Sequence, residues 1–277
     1  MEVRYSIDPS TCMMADSDEL RSSLLLDDLF ENDKVKLVYC EVDRAIVGAA
    51  VPVKKTLELV SSKKEMAAEY FLERREAGVI NIGGKGTIIC DGTEYELDHK
   101  DALYIGRGTK KVEFKSSVSS SPANFYIASF PAHKEYPTSL IKSADAVHQA
   151  LGSVKDANKR VINKYILPGH VQSCQLVMGL TELDEGSVWN TMPVHTHQRR
   201  SEIYMYFNIG EDALVFHLLG EPDNTRHIVV RDRQAVISPS WSIHSGCGTR
   251  NYSFIWAMGG ENQAFDDMDW VKMEDLK

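Results

Sequence analysis

The chain repeats itself once. Arg74-Arg75-Glu76 followed by Asn81-Ile82-Gly83 returns as Arg199-Arg200-Ser201-Glu202 followed by Asn208-Ile209-Gly210, and Asp101-Ala102-Leu103-Tyr104-Ile105-Gly106 returns as Arg233-Gln234-Ala235-Val236-Ile237-Ser238. A period of roughly 130 residues is the size of a domain, well beyond the roughly 20 to 50 residues of a solenoid unit, so it marks a domain duplication. Any fold for this chain has to be two copies of something that fits into half of it.

What is copied reads as β structure. Short apolar or alternating runs occur at 35–42, 44–53, 78–82, 86–90 and 93–97, and again at 161–166, 172–182, 202–208, 213–219, 226–230, 235–237 and 252–258. Turn residues such as Gly83-Gly84 separate them. In Cys90-Asp91-Gly92-Thr93 the Asp-Gly pair supplies the positive φ angles of a tight hairpin turn. Short strands at this spacing, with no long helices between them, predict a β-sandwich or barrel. Helical spacing is confined to two places. One is an arm at 1–35, with an amphipathic helix over 17–32 carrying Leu20, Leu24, Leu25, Leu29 and Phe30; the other is a helix over 143–151 in a polar linker. The expected division is therefore an arm at 1–35, a first barrel at 36–140 and a second at 141–277.

The composition narrows the partners. A length of 277 residues with 43% hydrophobic and 26% charged residues fits an ordinary soluble globular protein, and a net charge of -9 argues against nucleic acid or an anionic membrane. The five cysteines include no CxxC, which suggests neither a disulfide framework nor a cysteine-ligated zinc site and fits a reducing cytosol. The acidic first thirty residues do not resemble a signal peptide, and no run approaches the ~20 apolar residues of a membrane span. A small molecule or another subunit is left.

The two copies differ in one chemically informative respect. The second carries His195-Thr196-His197, then Glu202, then His244 within Ser238-Pro239-Ser240-Trp241-Ser242-Ile243-His244-Ser245-Gly246. Histidines two apart point to the same side of a strand, so both can grip one ion, whereas a helical metalloprotease spaces them four apart. Imidazole and carboxylate donors suit zinc, iron, manganese, nickel or copper. The first copy has Tyr70-Phe71-Leu72 at the place of the histidine pair, and no histidine over 106–109, so it should hold no metal through this set. A single buried histidine is more often satisfied by a backbone carbonyl. His99, His133, His148, His170, His217 and His227 are read that way, as core or surface, with His227 a weaker candidate for a substrate contact.

The histidine pair, the glutamate and the proline-to-histidine spacing resemble the two metal motifs of the cupins, with Trp241 where the second motif usually has glycine. Longer strings resemble the 5-keto-4-deoxyuronate isomerase family, the 4-deoxy-L-threo-5-hexosulose-uronate ketol-isomerases. They are Tyr70-Phe71-Leu72-Glu73-Arg74-Arg75-Glu76, Gly78-Val79-Ile80-Asn81-Ile82-Gly83-Gly84, Trp189-Asn190-Thr191-Met192-Pro193, the 237–246 segment around His244 and Gly260-Glu261-Asn262-Gln263. The resemblance implies an all-β bicupin of two tandem jelly-roll barrels. It also implies a cytoplasmic homo-oligomer, a hexamer, that acts in pectin and uronate catabolism on a small deoxy-keto-uronate. One zinc ion per chain, or another divalent transition metal, would sit on His195, His197, Glu202 and His244.

Such an isomerase moves one hydrogen between adjacent carbons, and the costly species is the enediolate between the two carbonyl forms. A metal with an open coordination position lowers that cost, while tetrahedral zinc closed by four protein ligands would be structural. If Glu202 faces inward, strand alternation turns Tyr204 and Tyr206 inward too, as hydroxyls for the substrate. Arg160, Lys164 and Arg226 are candidates for the substrate carboxylate and Glu182 for the general base. The competing functions are a cupin dioxygenase using the same ligands and a non-catalytic sugar-binding bicupin.

Overall fold

The computed structural model describes residues 1–261 and 264–277. Asn262 and Gln263, the end of one of the family-like strings, lie outside the described residues. Contacts divide the chain into two units. The first comprises Met1–Val3, Leu29–Ala146 and Tyr165–Val177, the second Arg4–Asp28, Val147–Lys164 and Met178–Lys277. The chain thus passes between units several times, where the sequence suggested an arm and two consecutive barrels.

Each unit is built on a seven-stranded and a four-stranded sheet. In the first, Phe125–Pro131, Arg75–Asn81 and Ala102–Ile105 lie side by side in the larger sheet, and Val112–Ser116, Gly86–Cys90 and Thr93–Leu97 in the smaller. The second unit repeats both orders, with Ser253–Gly260, Arg200–Phe207 and Ala235–Ser238 in the larger sheet and Ser245–Gly248, Val215–Glu221 and Asn224–Val230 in the smaller. The duplication read from the sequence is a duplication of topology. Two facing sheets joined in this way make a jelly-roll barrel, and the fold is a bicupin.

Strand alternation fills the first barrel. Ile46, Ala77, Val79, Leu103 and Ile127 from the larger sheet meet Ile88, Leu97 and Phe114 from the smaller in one apolar core. The Gly86–Cys90 and Thr93–Leu97 hairpin closes with Cys90 opposite Thr93. Asp91 at φ 48° and Gly92 at φ 88° make the turn, as the Asp-Gly pair indicated.

Two expected helices are altered by strand pairing. The helix over 17–32 is Ser17–Leu24, started by a capping box between Asp16 and Glu19. It stops because Leu25 and Leu26 leave it to pair with Val236 and Ala235 at the edge of the larger sheet. A further helix, Pro9–Met14, precedes it. At 143–151 there is only a 3-10 turn, Ser143–Asp145, and then the strand Val147–Leu151, paired with the strand Arg160–Ile166. Helical spacing over so few residues is weak, and the cross-strand ladder outweighs it.

The first unit also holds a buried carboxylate. Glu76 is 0% exposed and accepts from the backbone N–H groups of Cys174, Gln175 and Leu176 at 2.6, 2.8 and 2.9 Å, and from the Tyr104 hydroxyl at 2.8 Å. One side chain thereby fixes the passage of a segment about a hundred positions away in sequence. Among the described residues, no helix is long and apolar enough to cross a membrane.

Candidate metal centre

His195, His197, Glu202 and His244 converge. Their potential ligand atoms all lie within 4.8 Å of one another, and all four residues are buried. Three local structures bring them there. His195 belongs to a two-residue strand paired with Asp269–Trp270, Glu202 is third in the Arg200–Phe207 strand, and His244 directly precedes Ser245–Gly248 in the smaller sheet. Glu202 Oε2 lies 3.0 Å from His244 Nε2 and 3.1 Å from His197 Nε2, and the Nε2 atoms of His195 and His244 are 3.1 Å apart.

These spacings fit a shared cation better than a hydrogen-bonded cluster. A single proton on His244 Nε2 cannot be directed at both Glu202 Oε2 and His195 Nε2, and His197 Nε2 is a buried atom without a properly directed hydrogen bond. His197 Nδ1 meanwhile lies 3.4 Å from the Arg200 carbonyl, which favours the tautomer that leaves Nε2 as a lone pair. Burial, with the neighbouring His244, pushes His195 down to about 2, and burial also lowers His197. Burial alone would raise the Glu202 carboxyl, but the adjacent His244 and His197 outweigh it and hold it below the usual range. Neutral imidazoles at His195 and His197 beside an ionised Glu202 are the protonation states that metal binding requires. The four residues could hold a metal ion.

The first unit has no counterpart to this set. Ala77 is third in the strand that opens at Arg75, as Glu202 is in the strand that opens at Arg200. Leu72 precedes Ala77 by the same five positions that separate His197 from Glu202. Leu72 and Ala77 are buried in the apolar core. Among the described residues, the second-unit set is the one cluster with metal-ligand spacing.

A cavity of about 220 Å³ adjoins the cluster, with His195 and Glu202 in its wall. Of the residues expected to meet a substrate, Tyr204 and Arg160 line it. Burial and then the Glu202 charge push the Tyr204 phenol well above its ordinary range, so it is a hydrogen-bond donor at all working pH values. Arg160 bonds the Asn158 carbonyl at 2.8 Å through Nη1, while its buried Nε has no partner.

The other candidates are placed elsewhere. Tyr206 does share the inward face with Glu202, but it lies deeper, with its hydroxyl 2.7 Å from His217 Nδ1 and both residues fully buried. Lys164 stacks over the Phe265 ring at 3.9 Å, behind the cavity wall. Arg226 bonds the carbonyls of Cys12, Met13 and Ala15 at 2.8, 2.9 and 2.6 Å, closing the end of the Pro9–Met14 helix. Glu182 accepts from Asn163 Nδ2 at 3.1 Å and is not part of the cavity lining among the described residues. His227 is exposed and packs on Phe216. Alternation along one strand gave the face correctly. It could not give depth, nor the partner that a lone arginine or glutamate would choose.

Sequence reasoning missed the wall formed by Phe265, Asp266, Met268 and Trp270, and the polar Asn190-Thr191 pair. The latter lies in one of the family-like strings, which was the available signal. The former had none, because its position depends on the pairing of Trp270 with His195.

Burial of neutral histidines has a measurable consequence. His195 and His217 are held at about 2 and about 3, against 6.5 when free, so the unfolded chain binds more protons once the pH falls below about 6.5. Each should remove about 1.4 kcal/mol of stability per pH unit from there down to its folded value. Urea titrations of metal-stripped protein at pH 7, 6 and 5 should show this decline, and His217→Gln should reduce its slope. A flat profile would mean that these imidazoles are not buried neutral.

A pair of jelly-roll barrels, one with an apolar interior and one with a buried three-histidine, one-carboxylate cluster beside a cavity, defines a bicupin with, among the described residues, one metal-type centre. The chain matches the KduI/IolB family over residues 25–273 and belongs to that family. It is 58% identical over 277 residues, with 100% of both chains covered, to a 4-deoxy-L-threo-5-hexosulose-uronate ketol-isomerase of Lachnoclostridium phytofermentans. To the protein of the same name from Escherichia coli it is 51% identical over 278 residues, again over 100% of both. Among solved structures it is similar to an IolB-like protein from Salmonella typhimurium, with TM-score 0.72 and 13% identity over 90% of this chain and 96% of that one. It is also similar to an oxalate decarboxylase of Lactobacillus farciminis, with TM-score 0.59 and 8% identity over 90% and 88%. At such identities these two likenesses are of fold alone.

Proposed function

We propose that the chain is a ketol-isomerase that interconverts 5-dehydro-4-deoxy-D-glucuronate and 3-deoxy-D-glycero-2,5-hexodiulosonate in uronate and pectin catabolism. One zinc ion would be held by His195, His197, Glu202 and His244. The observation that carries this reading is the buried cluster of three histidines and a glutamate at the wall of a cavity, in a chain related over its full length to ketol-isomerases. When bound, the ion supplies Lewis acidity toward a carbonyl and its neighbouring hydroxyl.

The chain's own residues supply the rest. Arg160 offers an unpaired guanidinium nitrogen to the substrate carboxylate, and Tyr204 a hydroxyl that stays protonated. Asp266 is the lining carboxylate outside the ligand set among the described residues, and it takes the general-base role first assigned to Glu182. It would accept the proton from the hydroxyl-bearing carbon and return it to the adjacent carbon. The apolar wall of Phe254, Trp256 and Met258 keeps bulk water from the intermediate. The working form is a cytoplasmic homo-oligomer, a hexamer, with the apolar first barrel given over to assembly.

Turnover in deuterated water tests the reaction. The ketose formed should carry deuterium on its terminal hydroxymethyl carbon, the former aldehyde carbon of the substrate, activity should vanish on chelation and return with zinc, and no oxygen should be consumed. Arg160→Ala should raise KM roughly ten- to hundredfold, the loss of one or two charge-assisted hydrogen bonds. Oxygen uptake matching turnover would overturn the isomerase reading in favour of a cupin dioxygenase.

A further inference from the structure

The segment between the ligands His197 and Glu202 carries two arginines, and both reach the same place. Arg199 makes a bidentate pair with Asp267, Nε to Oδ2 and Nη2 to Oδ1 at 2.8 Å each, and adds a bond from Nη2 to Asp269 at 3.1 Å. Arg200, 1% exposed, donates from Nη1 to the Ala264 carbonyl and from Nη2 to the carbonyls of Phe265 and Asp267 at 3.1 and 3.3 Å. Their common target is the strap 264–270, which supplies Phe265, Asp266, Met268 and Trp270 to the cavity wall.

The strap also touches the metal-type centre. Trp270 pairs with His195 across a two-strand ribbon, with its ring 5.2 Å from the imidazole, and the Val271 N–H bonds the Val194 carbonyl at 3.0 Å. Two pairs of residues make a ribbon too short to be stable by itself. The guanidinium contacts are what fix its far side. A fork of two parallel bonds sets direction as well as distance, which a single ammonium contact cannot do.

We infer that Arg199 and Asp267 form a latch that holds the strap as a substrate-facing wall, so that Arg199 is a positioning residue for catalysis although it touches neither the cavity nor the ligand cluster. One six-residue stretch, His197 to Glu202, thus holds ligands on one side and the cavity wall on the other. Releasing the latch displaces the wall without removing a ligand, and a displacement of this kind costs up to about a hundredfold in productive binding.

The inference relies on the ketol-isomerase reading only for its assay substrate. Arg199→Ala, Asp267→Asn and the double variant should each raise KM roughly ten- to hundredfold with a smaller change in kcat. The double variant should be no worse than either single one, as expected of two residues acting through one contact. Arg199→Lys should rescue poorly, because it cannot form the fork. Metal content and melting temperature should stay at the wild-type values. Independently of any substrate, hydrogen exchange followed by mass spectrometry should show faster labelling of the 264–272 peptide in Arg199→Ala, with the Gly86–Cys90 hairpin unchanged. An unchanged KM, additive losses in the double variant, or unchanged exchange of the strap would overturn the latch. If wild-type protein has no isomerase activity, the functional reading fails, and the exchange experiment still decides the latch.

Discussion

Replacing His195 and His244 together by alanine should leave a folded protein that retains no stoichiometric metal and loses at least about a thousandfold in kcat/KM, the scale associated with removing the main electrostatic stabiliser of a reaction. The four donors lie within 4.8 Å of one another, and the double variant removes two of them, one from the short ribbon and one from the residue directly before the Ser245–Gly248 strand. Two remaining donors do not hold a divalent ion against water. The fold should survive because the strand that carries Glu202 is paired on both sides: Arg200–Phe207 lies between Ser253–Gly260 and Ala235–Ser238 whatever occupies the cluster. Elemental analysis, circular dichroism and activity on one preparation check this. Wild-type metal content in the variant would disprove the ligand assignment, and collapse of the spectrum would make the centre structural.

Glu76→Ala should be the most damaging single change to stability, at about 3 to 5 kcal/mol, with metal content unaffected. The carboxylate is fully buried, and it is the acceptor for three consecutive N–H groups at 174–176 and for the Tyr104 hydroxyl. Removing it leaves those donors without partners at roughly 1 to 3 kcal/mol each, an amount only partly offset by no longer having to bury a charge. Tyr104→Phe removes one neutral donor and should cost about 1 to 2 kcal/mol. Urea denaturation of the three proteins would measure both. A loss below about 1 kcal/mol for Glu76→Ala would mean that water reaches the 174–176 amides.

The sequence was most legible where local geometry and long-range structure agree. The two-residue spacing of His195 and His197 and the Asp91-Gly92 turn are local rules, and the repeated strings around Arg75 and Arg200 fixed the repeated strand order. His195, His197, Glu202 and His244, picked out together because such a pattern has few other uses, do converge into one buried cluster. Legibility ended where a side chain's partner comes from elsewhere in the chain. Arg226 looked like a carboxylate ligand and instead satisfies helix-end carbonyls over two hundred positions away. Glu182 was a candidate base and accepts a hydrogen bond from Asn163, outside the cavity lining among the described residues. The helical spacing over 17–32 was real up to Leu24, and was then overruled by an edge strand whose partner, Val236, no local pattern could reveal.

The placement of residues 4–28 in the second unit also bears on how the protein is made. Leu25 and Leu26 form an edge of the sheet that contains Glu202, and Ala15 accepts from Arg226, 211 positions later. On the ribosome this amphipathic stretch emerges well before the strand it pairs with, and its apolar side has nothing native to cover it until Ala235–Ser238 has been synthesised. The main strands of the first barrel lie within residues 35–141, but the second barrel must wait for Ala235–Ser238 and then recruit a stretch made about two hundred residues earlier, a loop closure of the slowest kind. Premature termination anywhere before Ala235–Ser238 therefore releases a chain with an unmatched sticky segment, and quality control of this enzyme should be most exacting over residues 4–28.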